Sequence, residues 1–353
     1  MRAVYFGTYD RDYPRNAQVI SALRGAGVEV VERHQPMWGR RHNWSLGLGQ
    51  LARLARIERR LGAGHAEQAD VVLVGYPGHF DMPAARRFAG GRPVVFNPLV
   101  SLHDTLVTDR GRFGEGSVAS RVVAAIDRRA FRAATKVVAD TRAHADFFSE
   151  RFGLASDRLA VCFVGAEDRL FRPGWQPPSD FHALFVGKLI PLHGLETILE
   201  AARLIPHIPV RIVGSGQLDR VLDARPPNVH WTPWVEYVEL PGLYQTAGCA
   251  LGIFGVGEKT ARVIPNKAFQ ALACACPLVT ADTPAARELL RDGEHALLVP
   301  PGDAEGLAAA ITRLATDTSL AQRLGAAGRA RYEAESSEGV LGLRWRDILE
   351  SVT

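Results

Sequence analysis

Short runs of apolar residues alternate with amphipathic stretches along the whole chain. Val71–Val74 and Val94–Phe96 are continuous apolar runs, which is typical of strands buried on both faces. Between such runs, apolar side chains recur at the spacing of one helix face. In the first half, the pattern predicts strands over 2–6, 28–31, 71–74, 94–96 and 137–139, and helices that include 17–25 and 117–134.

The second half of the chain repeats this alternation. It predicts strands over 183–186, 210–213, 229–231, 250–254, 278–280 and 296–299, and helices that include 195–204, 266–274 and 304–315. Repeated strand–helix units build parallel sheets covered by helices on both faces. The predicted fold class is therefore α/β, with two doubly wound, Rossmann-like parallel-sheet domains. Ligands of such sheets bind beyond the carboxyl ends of the strands, so we expect the site in a central cleft between the two domains.

A proline-rich stretch separates the two blocks. Residues 171–179 hold three prolines and a glycine, which stop helices and interrupt strand ladders. We therefore predict a first domain over 1–170, a second domain over 171–336 and a terminal segment over 337–353.

Composition and charge narrow the class of protein. An apolar fraction of 47% and a charged fraction of 23% are typical of a soluble globular chain. No apolar run approaches the roughly 18 residues of a membrane span, and the start of the chain lacks the apolar region of a signal peptide. We therefore expect a cytoplasmic protein. A net charge of +4 suits a phosphorylated small molecule or an anionic membrane surface, and is too small to indicate nucleic acid.

Familiar phosphate and metal motifs are missing or misplaced. The sequence contains neither the GxxxxGK[ST] loop nor the GxGxxG fingerprint. Asp10-Arg11-Asp12 has an Asp-x-Asp form that can hold a metal ion, but it lies in the first strand-end loop, without the preceding sheet that such a motif needs. The four cysteines do not form a disulfide scaffold, and we interpret them as buried apolar residues.

Two helix starts in the second half each carry a lysine. Gly187-Lys188 follows a predicted strand and precedes a helix, and Pro265-Asn266-Lys267 opens another helix. Glycine lets the backbone approach a ligand, the free N–H groups of a helix start favour anions, and lysine adds a point charge. One such turn alone is more often an ordinary connection with a solvated lysine. Two lysines at strand-end helix starts of one domain can face the same anion, so together they predict a diphosphate site.

The order and spacing of these motifs resemble glycosyltransferase family 4, a large retaining group with the two-domain GT-B fold. The resemblance covers nearly the whole chain. Besides Val186-Gly187-Lys188 and His193-Gly194, it includes residues 164–173, 213–217, 228–231, 240–252 and 270–280.

The resemblance implies transfer of a sugar, with retention of configuration, from a nucleotide-diphosphate donor. A uridine donor is favoured, and the acceptor is a hydroxyl of a glycan, a lipid-linked molecule or a secondary metabolite. The donor is a substrate, and neither a metal ion nor a cofactor is implied. The implied catalytic residues are Lys188, which stabilises the leaving diphosphate, and His103, which lies near the transferred sugar. The implied donor-binding residues are Gly187, Lys188, His193, Gly214, Arg262, Asn266, Lys267 and Gln270. Residues 337–353 are expected to cross back onto the first domain, as in this fold.

The chain departs from the family pattern at three of these positions. The family often carries two glutamates eight positions apart, where this chain has Arg262 and Gln270. Glutamine can still accept a hydrogen bond from a ribose hydroxyl, whereas arginine favours an acidic sugar or the diphosphate itself. His193 stands where the family usually has a second lysine, and Lys267 can compensate for it.

The first domain is expected to hold the acceptor. Its predicted acceptor-binding residues lie at strand ends and helix starts: Gly7, Arg15, Asn16 and Asp104. Residues 44–61 form a basic amphipathic segment that fits either an anionic membrane surface or ordinary packing on the core. Peripheral binding of the protein to the inner face of the membrane is therefore one of the two alternatives.

Two other functions remain open at this point. The missing glutamates also fit a non-catalytic subunit that binds a nucleotide sugar. A nucleotide-sugar epimerase of the same fold would need a strong acid/base set, for which the sequence offers His103, His193 and Glu258.

Overall fold

The computed structural model describes residues 1–37 and 48–353. The chain divides into two compact units, each built on one parallel sheet. Unit 1 comprises Met1–Phe163 with Glu338–Thr353, and unit 2 comprises Val164–Ser337. The division therefore falls earlier along the chain than the predicted boundary at 170.

Unit 1 alternates strands and helices. Its strands are β1 (Arg2–Gly7), β2 (Glu29–His34), β3 (Val71–Val74), β4 (Val94–Phe96), β5 (Lys136–Ala139) and β6 (Leu159–Val161). They pair in parallel in the order β2-β1-β3-β4-β5-β6. Its helices are α1 (Pro14–Gly25), α2 (Leu48–Leu61), α3 (Met82–Ala89), α4 (Val118–Ala133) and α5 (Arg142–Phe152). Ser117 and Thr141 cap α4 and α5, accepting the N–H groups of Ser120 and His144 at 3.1 and 3.0 Å.

Unit 2 repeats this architecture. Its strands are β7 (Ala183–Val186), β8 (Val210–Val213), β9 (Val229–Thr232), β10 (Cys249–Leu251), β11 (Leu278–Ala281) and β12 (Leu297–Val299), in the order β12-β11-β10-β7-β8-β9. Its helices are α6 (Leu195–Leu204), α7 (Leu240–Thr246), α8 (Asn266–Ala273), α9 (Pro284–Leu289), α10 (Ala304–Thr316) and α11 (Thr318–Glu335). Both units are thus doubly wound sheets of the predicted class.

The proline-rich stretch 171–179 is part of unit 2 rather than a linker between the units. The indole N–H of Trp175 donates to the carbonyl of Ala247 at 2.6 Å, and its backbone N–H donates to the carbonyl of Cys274 at 3.3 Å. Phe171 is fully buried. The prolines do prevent helix and strand here, but the aromatic side chains on either side of them anchor the segment to the core.

The last helix, α12 (Glu338–Glu350), packs on α1 and so belongs to unit 1. A Cβ on Gly342 would lie only 2.3 Å from the carbonyl oxygen of Ala22, so the two helices meet at backbone contact. Trp345 is buried in the same interface, and the guanidinium of Arg15 lies 5.4 Å from its ring centroid.

The basic segment predicted over 44–61 is described from Leu48 onward, and residues 44–47 lie outside the described residues. Helix α2 buries Leu54, Ile57 and Leu61 in unit 1, while its arginines are exposed. The apolar face of α2 therefore packs on the protein core. Among the described residues, no helix combines the length and apolar character needed to cross a bilayer.

Candidate functional site

The turn after β7 brings three predicted donor-binding residues together. Gly187 has a φ of +153°, and its N–H donates to the carbonyl of Val213 at 2.9 Å. A Cβ on Gly187 would lie 2.8 Å from Nζ of Lys267 and 3.3 Å from Cε1 of His193. Residues from the β7 turn, the turn before α6 and the start of α8 thus meet around one glycine.

A second glycine turn lies directly against the first. Gly214 follows β8 with a φ of +129°, and a Cβ there would lie 2.0 Å from the carbonyl oxygen of Gly187. Only hydrogen fits between the two turns. The strand-end backbone of β7 and β8 is therefore held in one arrangement, with the lysine and histidine side chains beside it.

Lys267 is the most unusual of these residues. Its side chain is 5% exposed, and within residues 1–37 and 48–353 its Nζ has no hydrogen-bond partner. Its Nζ lies 3.5 Å from the ring centroid of Phe185. Burial lowers the pKa of Lys267 well below the usual value for lysine. A buried amine without a partner is costly unless an anion binds to it, so this point of the fold suits a negatively charged ligand.

His193 lies beside Lys267 in the turn Pro191–His193, just before α6. Its Nδ1 contacts the carbonyl of Lys188, so Nδ1 carries the proton and donates it. Gly194, with a φ of +66°, then starts α6 against the backbone of Phe254. The side chain of Lys188 is exposed on the same turn, where a ligand can reach it from solvent.

Arg262 is held by its own loop. Its Nε donates to the carbonyl of Glu258 at 3.1 Å, and the Glu258 carboxylate lies 3.4 Å from its guanidinium. The arginine is buried while Glu258 is exposed. Its charge is partly balanced within the loop, and its position ahead of α8 is set without a ligand.

Gln270 and Asn266 both lie on α8. The Gln270 Oε1 accepts the hydroxyl of Tyr244 at 3.1 Å, and the side chain is 5% exposed. The carbonyl expected to bind a ribose hydroxyl therefore already holds a bond inside unit 2. Pro265 occupies the cap position of α8, and Asn266 is its first helical residue.

At the end of β1, Gly7 makes room for a carboxylate. A Cβ on Gly7, which has a φ of +139°, would lie 2.5 Å from Oδ2 of Asp81. That oxygen accepts the backbone N–H of Thr8 at 2.9 Å, and the Thr8 hydroxyl donates to Oδ1 at the same distance. Glu58 of α2 lies beside Asp81, and burial together with this neighbour raises the pKa of Glu58 to about 10.

Arg15 and Asn16 lie inside unit 1, which corrects their assignment to the acceptor. Arg15 is fully buried and donates to the carbonyls of Phe163 and Cys162 at 2.8 and 3.2 Å, and to Oδ1 of Asn97. Asn16 is equally buried. It accepts the Tyr5 hydroxyl at 2.8 Å and donates to two backbone carbonyls. Both side chains bind the protein itself, so they hold α1 to the sheet.

His103 and Asp104 follow β4 in a turn anchored by a buried carboxylate. Asp127 of α4 accepts the backbone N–H of His103 at 2.9 Å and the hydroxyl of Ser101 at 2.7 Å. The His103 ring lies 3.1 Å from the Ser120 hydroxyl. The half-buried His103 is therefore fixed at the carboxyl end of β4, while Asp104 is buried.

Sequence reasoning missed several residues that shape these sites. Asp81 and Asp127 belong to no motif, so nothing in the sequence marks them. Phe185 had a usable signal, because residues two apart on a strand share a face and Phe185 precedes Gly187 by two. A second signal is the rarity of lysine: only Lys136, Lys188, Lys259 and Lys267 occur among 42 basic residues, and the last three lie in the second half.

Asp10 and Asp12 were not expected to hold a metal. Asp10 is half-buried and Asp12 is exposed. Across the described ranges, no three His, Cys, Asp or Glu side chains are grouped closely enough to hold a metal ion. The absence of a metal or cofactor in the reaction stays a prediction.

Two family models match the chain. The model described as Glycosyl transferase 4-like domain matches residues 3–165, and the model described as Glycosyl transferases group 1 matches residues 180–317. The chain is 26% identical over 273 residues to a D-inositol 3-phosphate glycosyltransferase of Streptomyces bingchenggensis. That match covers 67% of this chain and 58% of the relative, which is less than two thirds of the relative's length.

Solved structures resemble the chain over nearly its full length. Sucrose-phosphate synthase from Thermosynechococcus elongatus superposes with a TM-score of 0.75 at 14% identity, covering 99% of this chain and 98% of that one. Anabaena HepE in complex with UDP-glucose gives a TM-score of 0.71 at 18% identity, covering 99% of this chain and 100% of that one. Identities this low concern the fold alone, and they confirm the predicted GT-B fold class.

Proposed function

The chain belongs to glycosyltransferase family 4, and from that premise we propose that it transfers a sugar from a nucleotide-diphosphate donor to an acceptor hydroxyl. The observation that carries the proposal is the buried, unpartnered amine of Lys267 beside Gly187 and His193. A diphosphate would supply the anion that this amine lacks. The start of α6, which follows His193 directly, adds backbone N–H groups to the same place.

The donor is proposed to be a uridine diphosphate sugar. The support comes from a similar structure: Anabaena HepE shares the fold and was solved in complex with UDP-glucose. Arg262, fixed by Glu258, would favour a donor with additional negative charge.

The proposed reaction retains the configuration of the transferred sugar. The bond between the sugar's anomeric carbon and the diphosphate oxygen breaks, and a new bond forms from that carbon to the acceptor oxygen on the same face. The acceptor proton passes to the departing phosphate oxygen. Lys188, Lys267 and His193 would stabilise the charge that develops on the diphosphate, without a metal ion. His103, which the Asp127 anchor fixes, would orient the sugar.

The acceptor side is assigned to unit 1. With Arg15 and Asn16 engaged inside the protein, the loops after β1 and β4 remain, which hold Gly7 and Asp104. The proposed acceptor is a hydroxyl of a glycan, a lipid-linked molecule or a secondary metabolite.

Thermal stability against UDP, GDP, ADP, dTDP and NAD tests the donor site. A ligand at 100 times its dissociation constant adds about 2.7 kcal/mol to the free energy of unfolding. We expect UDP to raise Tm in the parent protein and much less in Lys188→Ala. Lys136→Ala is the matched control, because Lys136 lies in unit 1 and bonds to Ser351. If no nucleotide shifts Tm, or if Lys136→Ala loses the shift equally, the assignment is wrong.

Turnover separates transfer from the two other functions. Lys188→Ala should lose about 2–4 kcal/mol of transition-state stabilisation, measured as kcat/KM for UDP release with acceptor present. A new sugar formed from the donor without any acceptor would instead indicate an epimerase. UDP binding with no sugar moved to any acceptor tried would indicate a binding subunit.

A further inference from the structure

A cavity of about 420 Å³ opens between α3 and α4 on unit 1. Its walls are mostly apolar: Met82 and Pro83 from α3, Ile126, Ala130 and Ala133 from α4, and Phe80 from the preceding loop. Three arginines complete the lining, Arg86 and Arg87 from α3 and Arg129 from α4. This volume is within the range of small-molecule sites, which is about 300–1,000 Å³.

The one polar side chain deep in the cavity has its hydrogen bonds satisfied. The His79 ring is fully buried; its Nδ1 contacts the carbonyl of Pro77, and its Nε2 lies 3.1 Å from the carbonyl of Val100 and 3.4 Å from Asp127. No donor or acceptor of His79 is left over for a ligand. The interior therefore suits an apolar group.

An exposed apolar stripe on α4 leads into the cavity. Val118 and Val122 are 69% and 52% exposed, which is high for large apolar side chains on a helix. Ile126 follows at the next i+4 position, and Ala130 and Ala133 continue the same face. Apolar surface thus runs from solvent to the cavity wall along one helix.

The exposed charged side chains of α3 and α4 are all positive. Helices α3 and α4 carry six arginines and one acid, Asp127, which is buried and already accepts three hydrogen bonds from the 101–103 turn. Arg86, Arg87 and Arg129 are exposed, and Arg87 lies close enough to Glu58 of α2 to interact with it electrostatically. An anion beside the cavity would find three guanidinium groups and no exposed carboxylate on α3 or α4, with Glu58 of α2 as the acidic neighbour of Arg87.

We propose that the α3–α4 face binds an anionic membrane lipid, with an acyl chain in the cavity and the headgroup phosphate on Arg86, Arg87 and Arg129. Charge and shape select this occupant together: a free phosphate would leave the apolar cavity and the valines uncovered, and a neutral lipid would leave the arginines unpaired. The site differs from α2, whose apolar face is used by the core. The proposal rests on unit 1 alone and does not depend on the donor assignment.

Vesicle flotation tests the proposal directly. The parent protein should float with vesicles of phosphatidylcholine containing phosphatidylglycerol and not with phosphatidylcholine alone. Each basic side chain near an anionic surface contributes roughly a factor of five, so Arg86→Gln/Arg87→Gln/Arg129→Gln should lower the partition coefficient about 100-fold. The matched control, Arg211→Gln/Arg220→Gln/Arg323→Gln, removes three exposed arginines of unit 2 and should bind as the parent does.

Two further measurements distinguish a lipid site from attraction by charge alone. Val118→Ser/Val122→Ser should lower partitioning about 10-fold, because exposed apolar area is lost without a change of charge. Soluble dihexanoyl phosphatidylglycerol should raise Tm, whereas glycerol 3-phosphate should not. Equal binding to neutral vesicles, an equal loss in the unit 2 control, or loss only on changing the arginines of α2 would each overturn the proposal. A Tm shift with glycerol 3-phosphate alone would overturn the acyl-chain assignment.

Discussion

The Nζ of Lys267 lies 3.5 Å from the centre of the Phe185 ring, under the turn that Gly187 forms. The ring face attracts the ammonium, whereas burial opposes its charge and lowers its pKa. The donor-binding role and the stability of unit 2 therefore place opposite demands on this residue.

Lys267→Met should stabilise the ligand-free protein while weakening UDP binding. At pH values between the lowered pKa of Lys267 in the folded state and its usual value near 10.5, the Lys267 amine is protonated in the unfolded chain and neutral in the folded chain. The free energy of unfolding therefore rises with pH across that window, and at neutral pH the buried amine lowers it. We expect Lys267→Met to raise Tm, to remove this pH dependence and to lower UDP affinity at least tenfold, which corresponds to about 1.4 kcal/mol. A lower Tm with unchanged UDP affinity would contradict this.

UDP binding should take up a proton at Lys267. The bound diphosphate favours the charged amine, so its pKa rises on binding, and affinity falls as pH rises through the window where only the complex is protonated. Calorimetry in two buffers with different ionisation enthalpies gives the number of protons taken up. On binding UDP, Lys267→Met should take up fewer protons than the parent protein. The control Lys136→Met should take up as many as the parent. Equal uptake in all three proteins would exclude Lys267 as the acceptor of the proton.

Gly214→Ala should destabilise unit 2. The backbone conformation alone costs about 1–3 kcal/mol for a residue with a side chain, and the added carbon would lie 2.0 Å from the carbonyl oxygen of Gly187. Gly242→Ala is the control and should stabilise unit 2. Gly242 lies in α7 with open space where a Cβ would be added, and alanine favours the helix over glycine by about 1 kcal/mol. Urea unfolding of the three proteins measures both effects. Equal stability of Gly214→Ala and the parent would mean that the two turns can separate without cost.

Glu58→Gln should stabilise unit 1 at neutral pH. The folded state holds a proton on Glu58 up to a pKa of about 10, whereas the unfolded state releases it near 4.5, so stability falls as pH rises between these values. Glutamine is neutral throughout and should flatten the dependence, with a gain of about 1–3 kcal/mol at neutral pH. Glu29→Gln changes an exposed glutamate and serves as control. Parallel pH profiles for the parent and Glu58→Gln would contradict the raised pKa.

The sequence predicts the strands well where both faces are buried. Val71–Val74 and Ala183–Val186 were predicted with their observed ends, because a fully buried strand reads as a continuous apolar run. Strand β6 was not predicted, although its three residues begin the continuous apolar run 159–164; the run is shared between this edge strand and the segment that leads into unit 2.

Site residues can be predicted from the sequence where their place on the backbone decides what they bind. They cannot be predicted where the direction of the side chain decides it. Gly187 and Lys267 could be found because glycine turns and helix starts have local signatures. Arg15 has the same kind of strand-end position, but its guanidinium turns inward to a carbonyl 148 residues away along the chain. Its partners become visible only once β6 and the segment that follows it are in place.

Helix α12 gives unit 1 two separate pieces of chain, while unit 2 is one continuous piece. Trp345 and Gly342 reach the surface of α1 only after residues 164–337 have been synthesised. During synthesis, the surface of α1 that α12 covers therefore stays exposed until all of unit 2 has been made. The unit whose sheet is synthesised first is thus the last to receive all of its helices.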